Sequence, residues 1–264
     1  MAKGENKYGL SRYIPEAVRR EVRQRCGFGC VICGFGFYDY EHFAPDFADA
    51  TKHDPNGMTL LCSQCNQKRA RGRLSAETVA KANANPKCFE QGFTSERFDF
   101  HSEPLEIVFA GLTFYNCRHL IVVNDRPILT VQAPQEPNSP MLLSGVFCDP
   151  VGRETLKIHE NEWTVESNAW DVECEGARVT IRSAQRQITL VLKMNPPTGI
   201  TIERIDMFFE GVKFVGDEES LNFTTDGYNW HRWRGSSMRN CIVGIAIDTR
   251  PRAANDPEYE LSIP

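Results

Sequence analysis

Residues 30–68 of the chain read CVICGFGFYDYEHFAPDFADATKHDPNGMTLLCSQCNQK and contain two C-x-x-C pairs. The pairs are Cys30 with Cys33 and Cys62 with Cys65. Each pair turns two thiolates toward one point, and two such pairs together form a tetrahedral four-sulfur zinc site, which is closed and therefore structural. Buried reduced thiols are the alternative, although paired spacing of this kind seldom arises from packing. The sequence therefore predicts a structural Zn²⁺ site.

An acid and a histidine, Glu41 and His42, lie between the two cysteine pairs and are followed by Pro45. A carboxylate–histidine pair held between zinc knuckles is typical of a hydrolytic site. The pKa of an unperturbed histidine is close to neutral, so His42 can take a proton from water near pH 7. The alternatives are a hydrogen-bonded structural histidine and an ordinary surface acid. Asn66, directly after the second pair, is either a site residue or a polar residue at a helix start.

The order C-x-x-C, acid-His-x-x-Pro and Leu-Cys-x-x-Cys-Asn-x-Lys resembles the HNH endonucleases over residues 14–75. That family has a ββα-metal fold, in which a hairpin and a helix hold one catalytic divalent ion. The resemblance implies that His42 is the general base and that Glu41 and Asn66 bind catalytic Mg²⁺ or Mn²⁺ through oxygen atoms. It also implies that basic side chains near the start of the following helix contact phosphates. The residues placed for this role are Lys68, Arg69 and Arg71.

One position departs from the family pattern. HNH endonucleases usually have an asparagine five residues before the third zinc cysteine, where it holds the hairpin loop through backbone hydrogen bonds. Gly57 occupies that position here, and Asn56 lies one residue early. A shifted turn would let Asn56 brace the loop, while His53 and Asp54 are alternatives for orienting His42 or binding metal.

The charge of the chain is unevenly distributed over its 264 residues. Residues 1–90 contain 14 Lys+Arg and 10 Asp+Glu, a net of +4, whereas residues 91–264 carry a net of −9. This asymmetry suits a polyanion-binding module joined to an acidic domain. The N-terminus has no apolar signal sequence, and no apolar run is long enough to span a membrane. We therefore expect a cytoplasmic protein without a membrane partner, whose ten cysteines serve as metal ligands and buried thiols.

The pattern of elements predicts an α+β protein with two domains. Helices are expected from Pro15, from Ser63 and from Ser75 to Ala84, with a hairpin over residues 30–43. Residues 1–95 would form a zinc-stapled ββα-metal (HNH) nuclease domain. From residue 105 onward, short β-rich runs alternate with turns, so residues 96–264 would form an all-β accessory domain. A sandwich is favoured over a solenoid, and the shared pattern F-x-G-apolar-x-F at residues 109–114 and 209–214 indicates two similar corners in one sheet system.

These patterns favour a metal-dependent endonuclease that hydrolyses phosphodiester bonds in DNA, and RNA remains open as a substrate. By analogy with nucleases that carry a second domain, we expect a role in bacterial or phage defence or restriction. A non-catalytic zinc-knuckle module that binds nucleic acid is the second hypothesis. The third is a nuclease gated by the β domain through an activating ligand, a protein partner or assembly into a homo-oligomer. The aromatic and basic stretch of residues 228–234 could stack on bases, fill a partner pocket or pack over the sheet edge.

Overall fold

The computed structural model describes residues 4–101, 104–134, 136 and 139–250. This part of the chain is mixed α and β, with mostly strands and few helices. The helices are α1 (Glu16–Cys26), α2 (Ser63–Ala70), α3 (Ala76–Ala84) and α4 (Lys87–Gln91), with a 3-10 turn at Pro55–Gly57. In the described residues, no helix is both long and apolar enough to cross a membrane.

Twenty strands fall within the described residues. Those of the first half are β1 (Asp39–His42), β2 (Met58–Leu61), β3 (Phe93–Arg97), β4 (Glu106–Phe109), β5 (Leu112–Tyr115), β6 (His119–Val123), β7 (Arg126–Pro127), β8 (Leu129–Gln132), β9 (Leu142–Cys148) and β10 (Glu154–His159). Those of the second half are β11 (Glu162–Glu166), β12 (Asp171–Glu175), β13 (Arg178–Ala184), β14 (Gln187–Asn195), β15 (Gly199–Phe209), β16 (Val212–Gly216), β17 (Ser220–Thr224), β18 (His231–Arg234), β19 (Ser237–Arg239) and β20 (Val243–Ile247).

The three helices expected from the sequence are present, and local signals set their ends. Pro15 precedes α1, Glu16 lies in its first turn, and Gly27 ends it in the left-handed conformation at φ 70°. The sulfur of Cys62 accepts a hydrogen bond at the start of α2. The hydroxyl of Ser75 caps α3 by accepting from the backbone N–H of Thr78.

A small antiparallel sheet carries the acid–histidine pair. β1 pairs with β2 in the register Glu41 to Thr59 and His42 to Met58, and α2 follows β2 directly. The strand pairing differs from the hairpin expected over residues 30–43, because residues 31–33 form a turn and β1 pairs instead with β2, across the loop of residues 43–57. The order of elements along the chain is β-β-α. α1 buries Val22 in the same apolar cluster as Leu60 of β2, so the helix covers the sheet. Three of the four paired cysteines, Cys30, Cys62 and Cys65, belong to this cluster, whereas Cys33 is exposed.

Two large sheets make up the rest of the described chain. The eight-stranded sheet has the order β20-β6-β8-β9-β10-β11-β3, with β7 beside β6. The ten-stranded sheet runs β12-β13-β14-β15-β16-β17-β18, and β4, β5 and β19 join it beside β15. Residues of both sheets share one buried core, in which Phe109 of β4 stacks on Phe147 of β9 with ring centroids 6.2 Å apart.

The repeated F-x-G pattern corresponds to two hairpin corners in the same sheet, as the sequence indicated. Ala110 and Gly111 connect β4 to β5, and Glu210 and Gly211 connect β15 to β16. All four residues have positive φ angles, between 49° and 85°, which suits the tight turns that match strand twist. β4 pairs in parallel with β15, so the two corners belong to neighbouring hairpins.

The two predicted domains are joined by both backbone and side-chain contacts. The expected boundary at residues 95 and 96 falls within β3, which pairs along its whole length with β11. Residues 251–264 of the predicted β domain lie outside the described residues. The guanidinium of Arg23 on α1 donates to both carboxylate oxygens of Asp171 on β12, at 2.8 Å each. Both side chains are fully buried, so α1 is anchored to the ten-stranded sheet.

Candidate metal centre and active site

Four cysteine sulfurs converge at the zinc site predicted from the sequence. The Sγ atoms of Cys30, Cys33, Cys62 and Cys65 all lie within 4.8 Å of one another. Zn–S bonds of about 2.3 Å in a tetrahedron place the sulfurs about 3.8 Å apart. The distance is 3.6 Å from Cys33 to Cys62 and 4.0 Å from Cys33 to Cys65. The donor set and its spacing therefore fit one zinc ion, which would cross-link the two knuckles.

The thiols of this cluster differ in their affinity for protons. A hydrogen bond from the thiol of Cys33 lowers the pKa of Cys30 to about 5, with help from the backbone N–H groups of Cys62 and Cys33. Burial, with the adjacent charge of Cys30, raises the pKa of Cys65 to about 12. The Cys30 thiolate thus forms readily, while Cys65 holds a proton that a bound zinc ion would displace.

A cleft of about 460 Å³ opens between β1 and α2. It is lined by Glu41 and His42 of β1 and by Asn66 and Arg69 of α2. The amide nitrogen of Asn66 donates to a carboxylate oxygen of Glu41 at 2.5 Å. Burial raises the pKa of Glu41, against the opposing effect of this hydrogen bond and of Arg69. The structure thus brings together the two residues that the resemblance names as ligands of the catalytic ion.

His42 belongs to a short chain of hydrogen bonds. Its Nε2 lies 3.2 Å from Nδ1 of His53, and Nε2 of His53 lies 2.9 Å from the backbone carbonyl oxygen of Ser11. A carbonyl only accepts, so His53 donates from Nε2, and a His53 ring with this single N–H accepts at Nδ1. His42 then donates from Nε2, which leaves the lone pair on its Nδ1. Burial, with the neighbouring His53, lowers the pKa of His42.

Arg69 differs from the other basic residues of α2. It bonds to a carboxylate oxygen of Asp46 and to the backbone carbonyl of His42, the latter at 3.3 Å. Its Nη1 atom is buried and has no hydrogen-bond partner among the described residues. Lys68 and Arg71 are exposed and form no ion pair within the described part of the chain. The three basic residues therefore split into one cleft residue and two surface residues.

Backbone hydrogen bonds of Gly57 close the loop between β1 and β2. The carbonyl oxygen of Gly57 accepts from the backbone N–H groups of Phe43, at 2.9 Å, and Ala44, at 3.3 Å. A Cβ atom at Gly57 would overlap the carbonyl oxygen of Ala44, which explains the glycine. The side chain of Asn56 is exposed and does not line the cleft, and the carboxylate of Asp54 bonds to its backbone N–H.

Two features of the site have no signal in the sequence motif. Ser11 positions His53 from a segment distant in sequence, and Arg23 donates to the hydroxyl of Tyr40 at 2.8 Å, next to Glu41. Asp46, the partner of Arg69, directly follows Pro45, so the motif itself could have pointed to it.

The chain matches no protein-family model, no curated protein and no solved structure. The interpretation of the cleft therefore depends on the residues themselves.

Proposed function

We propose that the protein is a metal-dependent, HNH-type endonuclease that hydrolyses phosphodiester bonds in DNA, with RNA as the alternative substrate. One observation carries the proposal: a histidine, a carboxylate and an amide from β1 and α2 line the same cleft beside a four-cysteine cluster. Phosphodiester hydrolysis needs an activated water, stabilisation of charge on the phosphate and help for the leaving oxygen. By analogy, defence or restriction in a bacterium or phage is the setting we propose, in the cytoplasm.

His42 is the proposed general base. The chain of hydrogen bonds to His53 and Ser11 assigns the lone pair of His42 to Nδ1, which accepts the proton of the attacking water. Its lowered pKa keeps the ring neutral, and therefore basic, at pH 7. His53 acts through His42 and is a positioning residue.

Glu41 and Asn66 are the residues that would hold the divalent ion. Rotation of the Asn66 amide would replace its nitrogen by its oxygen next to the carboxylate, and a carboxylate with an amide oxygen suits Mg²⁺ or Mn²⁺. When bound, the ion supplies positive charge to the phosphate and the leaving oxygen. The unpartnered Nη1 of Arg69 supplies a donor for a phosphate oxygen, and Lys68 and Arg71 extend the positive surface.

A plasmid-cleavage assay with Mg²⁺, with Mn²⁺ and with EDTA tests this function. We expect cutting that needs the divalent ion and is lost in His42→Ala, because the water then has no base. His159→Ala, which removes an exposed histidine of β10, is the matched control and should cut at the parent rate. Cutting by His42→Ala at the parent rate would remove His42 as the base. Retention of a DNA mobility shift without any cutting would favour the non-catalytic zinc-knuckle module.

A gated nuclease is the second candidate, and the contacts of Arg23 favour it. Arg23 bridges Asp171 of the ten-stranded sheet and Tyr40, the residue before Glu41. We propose that the β part is a sandwich of two sheets over one core. Binding of a ligand, a protein partner or a second copy to this sandwich would then affect the cleft. Absence of cutting by the protein alone, with cutting gained on addition of an activator, would support gating over constitutive activity.

A further inference from the structure

Residues 228–239, here called the basic aromatic segment, form a positively charged island in the acidic part of the chain. The segment contains Arg232, Arg234 and Arg239 and no Asp or Glu, a net of +3, whereas residues 91–264 as a whole carry −9. Within the described residues, none of these three arginines forms an ion pair. The guanidinium of Arg239 donates to the hydroxyl of Ser237 and lies over the ring of Tyr115. Three guanidinium groups are thus available to an external anion.

Two large aromatic side chains are exposed at the start of the segment. Tyr228 is 89% exposed and Trp230 is 49% exposed. Asp226 fixes the loop that presents them, because its carboxylate accepts from the backbone N–H groups of Tyr228 and Asn229 at 2.8 Å each. A third bond, from the side-chain amide of Asn229, is 2.6 Å long. The loop is therefore ordered before any partner arrives, which lowers the entropic cost of binding.

The strand that follows separates its aromatic and basic side chains onto two faces. His231 and Trp233 of β18 pack on Phe223 of β17, with ring centroids 4.9 Å and 5.1 Å away. Side chains alternate along a strand, so Arg232 and Arg234 lie on the opposite face, where both are exposed. β18 ends the strand order of the ten-stranded sheet, so the arginines stand at its open edge.

We propose that the basic aromatic segment binds single-stranded nucleic acid, with Tyr228 and Trp230 stacking on bases and the arginines contacting phosphates. Exposed aromatic rings offer a stacking surface to any unpaired base, and free guanidinium groups neutralise the backbone. A duplex keeps its bases stacked on one another and would use the arginines alone. The inference does not depend on the chemistry of the cleft, because none of its residues lines that cleft.

Fluorescence anisotropy with a fluorescein-labelled oligothymidylate tests this proposal. The parent for the test is the full chain carrying His42→Ala, without added Mg²⁺ or Mn²⁺, so that the probe stays intact. Tyr228→Ala with Trp230→Ala is expected to weaken binding about 30-fold or more, since each of the two stacked bases contributes about 1–3 kcal/mol. Phe89→Ala, at a side chain that is 48% exposed on α4, is the matched aromatic control and should leave binding unchanged.

The salt dependence tests the arginines separately. Each phosphate neutralised on a single strand contributes about 0.7 to the slope of log K against log salt, so Arg232→Gln with Arg234→Gln should lower that slope by about 1.4. Arg186→Gln with Arg204→Gln removes the same charge from exposed positions outside the segment and should leave the slope unchanged. Equal affinity of the aromatic variant and the parent for the oligothymidylate would overturn the proposal. So would an affinity for duplex DNA that exceeds the affinity for the single strand and is unchanged in the aromatic variant. Either result would assign the segment to a protein partner or to protection of the sheet edge.

Discussion

Replacement of Arg23 by methionine is expected to destabilise the folded chain strongly, because it leaves a buried carboxylate with less counter-charge. The side chains of Arg23 and Asp171 are both fully buried and are joined by two hydrogen bonds of 2.8 Å. Removal of one partner from a buried ion pair costs about 3–5 kcal/mol. Asp171 keeps Arg182 at 3.0 Å, so we expect the lower end, about 3 kcal/mol.

Urea unfolding followed by circular dichroism measures this loss, and a thermal scan should show a melting temperature lowered by roughly 6–12 °C. Arg178→Met is the matched control, because Arg178 also forms a two-pronged pair, with Glu203, but the Arg178 side chain is half exposed. Water reaches this guanidinium and screens the pair, so this change should cost less than Arg23→Met. Addition of Asp171→Asn to Arg23→Met should restore part of the stability, because the buried carboxylate that lost the hydrogen bonds of Arg23 is then uncharged. Equal stability of Arg23→Met and Arg178→Met would refute the reasoning about burial.

Three further predictions concern the cysteines and His42. Elemental analysis should find about one zinc ion per chain, and Cys62→Ser should lose both the zinc and the cooperative unfolding transition. A zinc content near zero in the parent would exclude the four-sulfur site. Burial and the neighbouring His53 lower the pKa of His42 from 6.5, so kcat/KM should rise with pH and level off, with an inflection below pH 6.5. An inflection above pH 6.5 would contradict the assignment of His42 as the base. The sulfurs of Cys117 and Cys241 lie 2.6 Å apart, so hydrogen peroxide should oxidise the two thiols to one disulfide and be reduced to water. Peptide mapping after oxidation should show this disulfide in the parent and not in Cys241→Ser.

The sequence predicted the parts of this protein that depend on short spacings. The two C-x-x-C pairs placed four sulfurs together because each pair is a local turn, and only the distance between the pairs had to be closed by the fold. Ser75 predicted the start of α3 for the same reason, since a cap needs only the residues that follow it. The twin corners at Gly111 and Gly211 likewise depend on local turn geometry.

The motif does not predict contacts between segments that are distant in the sequence. The sequence alone does not show what the arginines of α1 contact. In the structure, Arg19, Arg20 and Arg23 form ion pairs with Glu16 and with acids of β12. No residue near α1 in the sequence indicates that strand, because 148 residues separate Arg23 from Asp171. His53 was one of several alternatives for the same reason, since its partner Ser11 lies far from it in the chain.

The pairing of α1 with β12 changes how the charge asymmetry of the chain should be interpreted. Part of the negative charge of residues 91–264 neutralises α1 from within the molecule, so that half is less repulsive to a polyanion than its net of −9 suggests. The same pairing removes Arg19, Arg20 and Arg23 from the set that can reach phosphates. The cations that remain available are those without an acidic partner among the described residues, notably Lys68 and Arg71 beside the cleft and the arginines of the basic aromatic segment. A path for nucleic acid must therefore be sought along these unpaired cations, because a guanidinium already bonded to a buried carboxylate gains little from a phosphate.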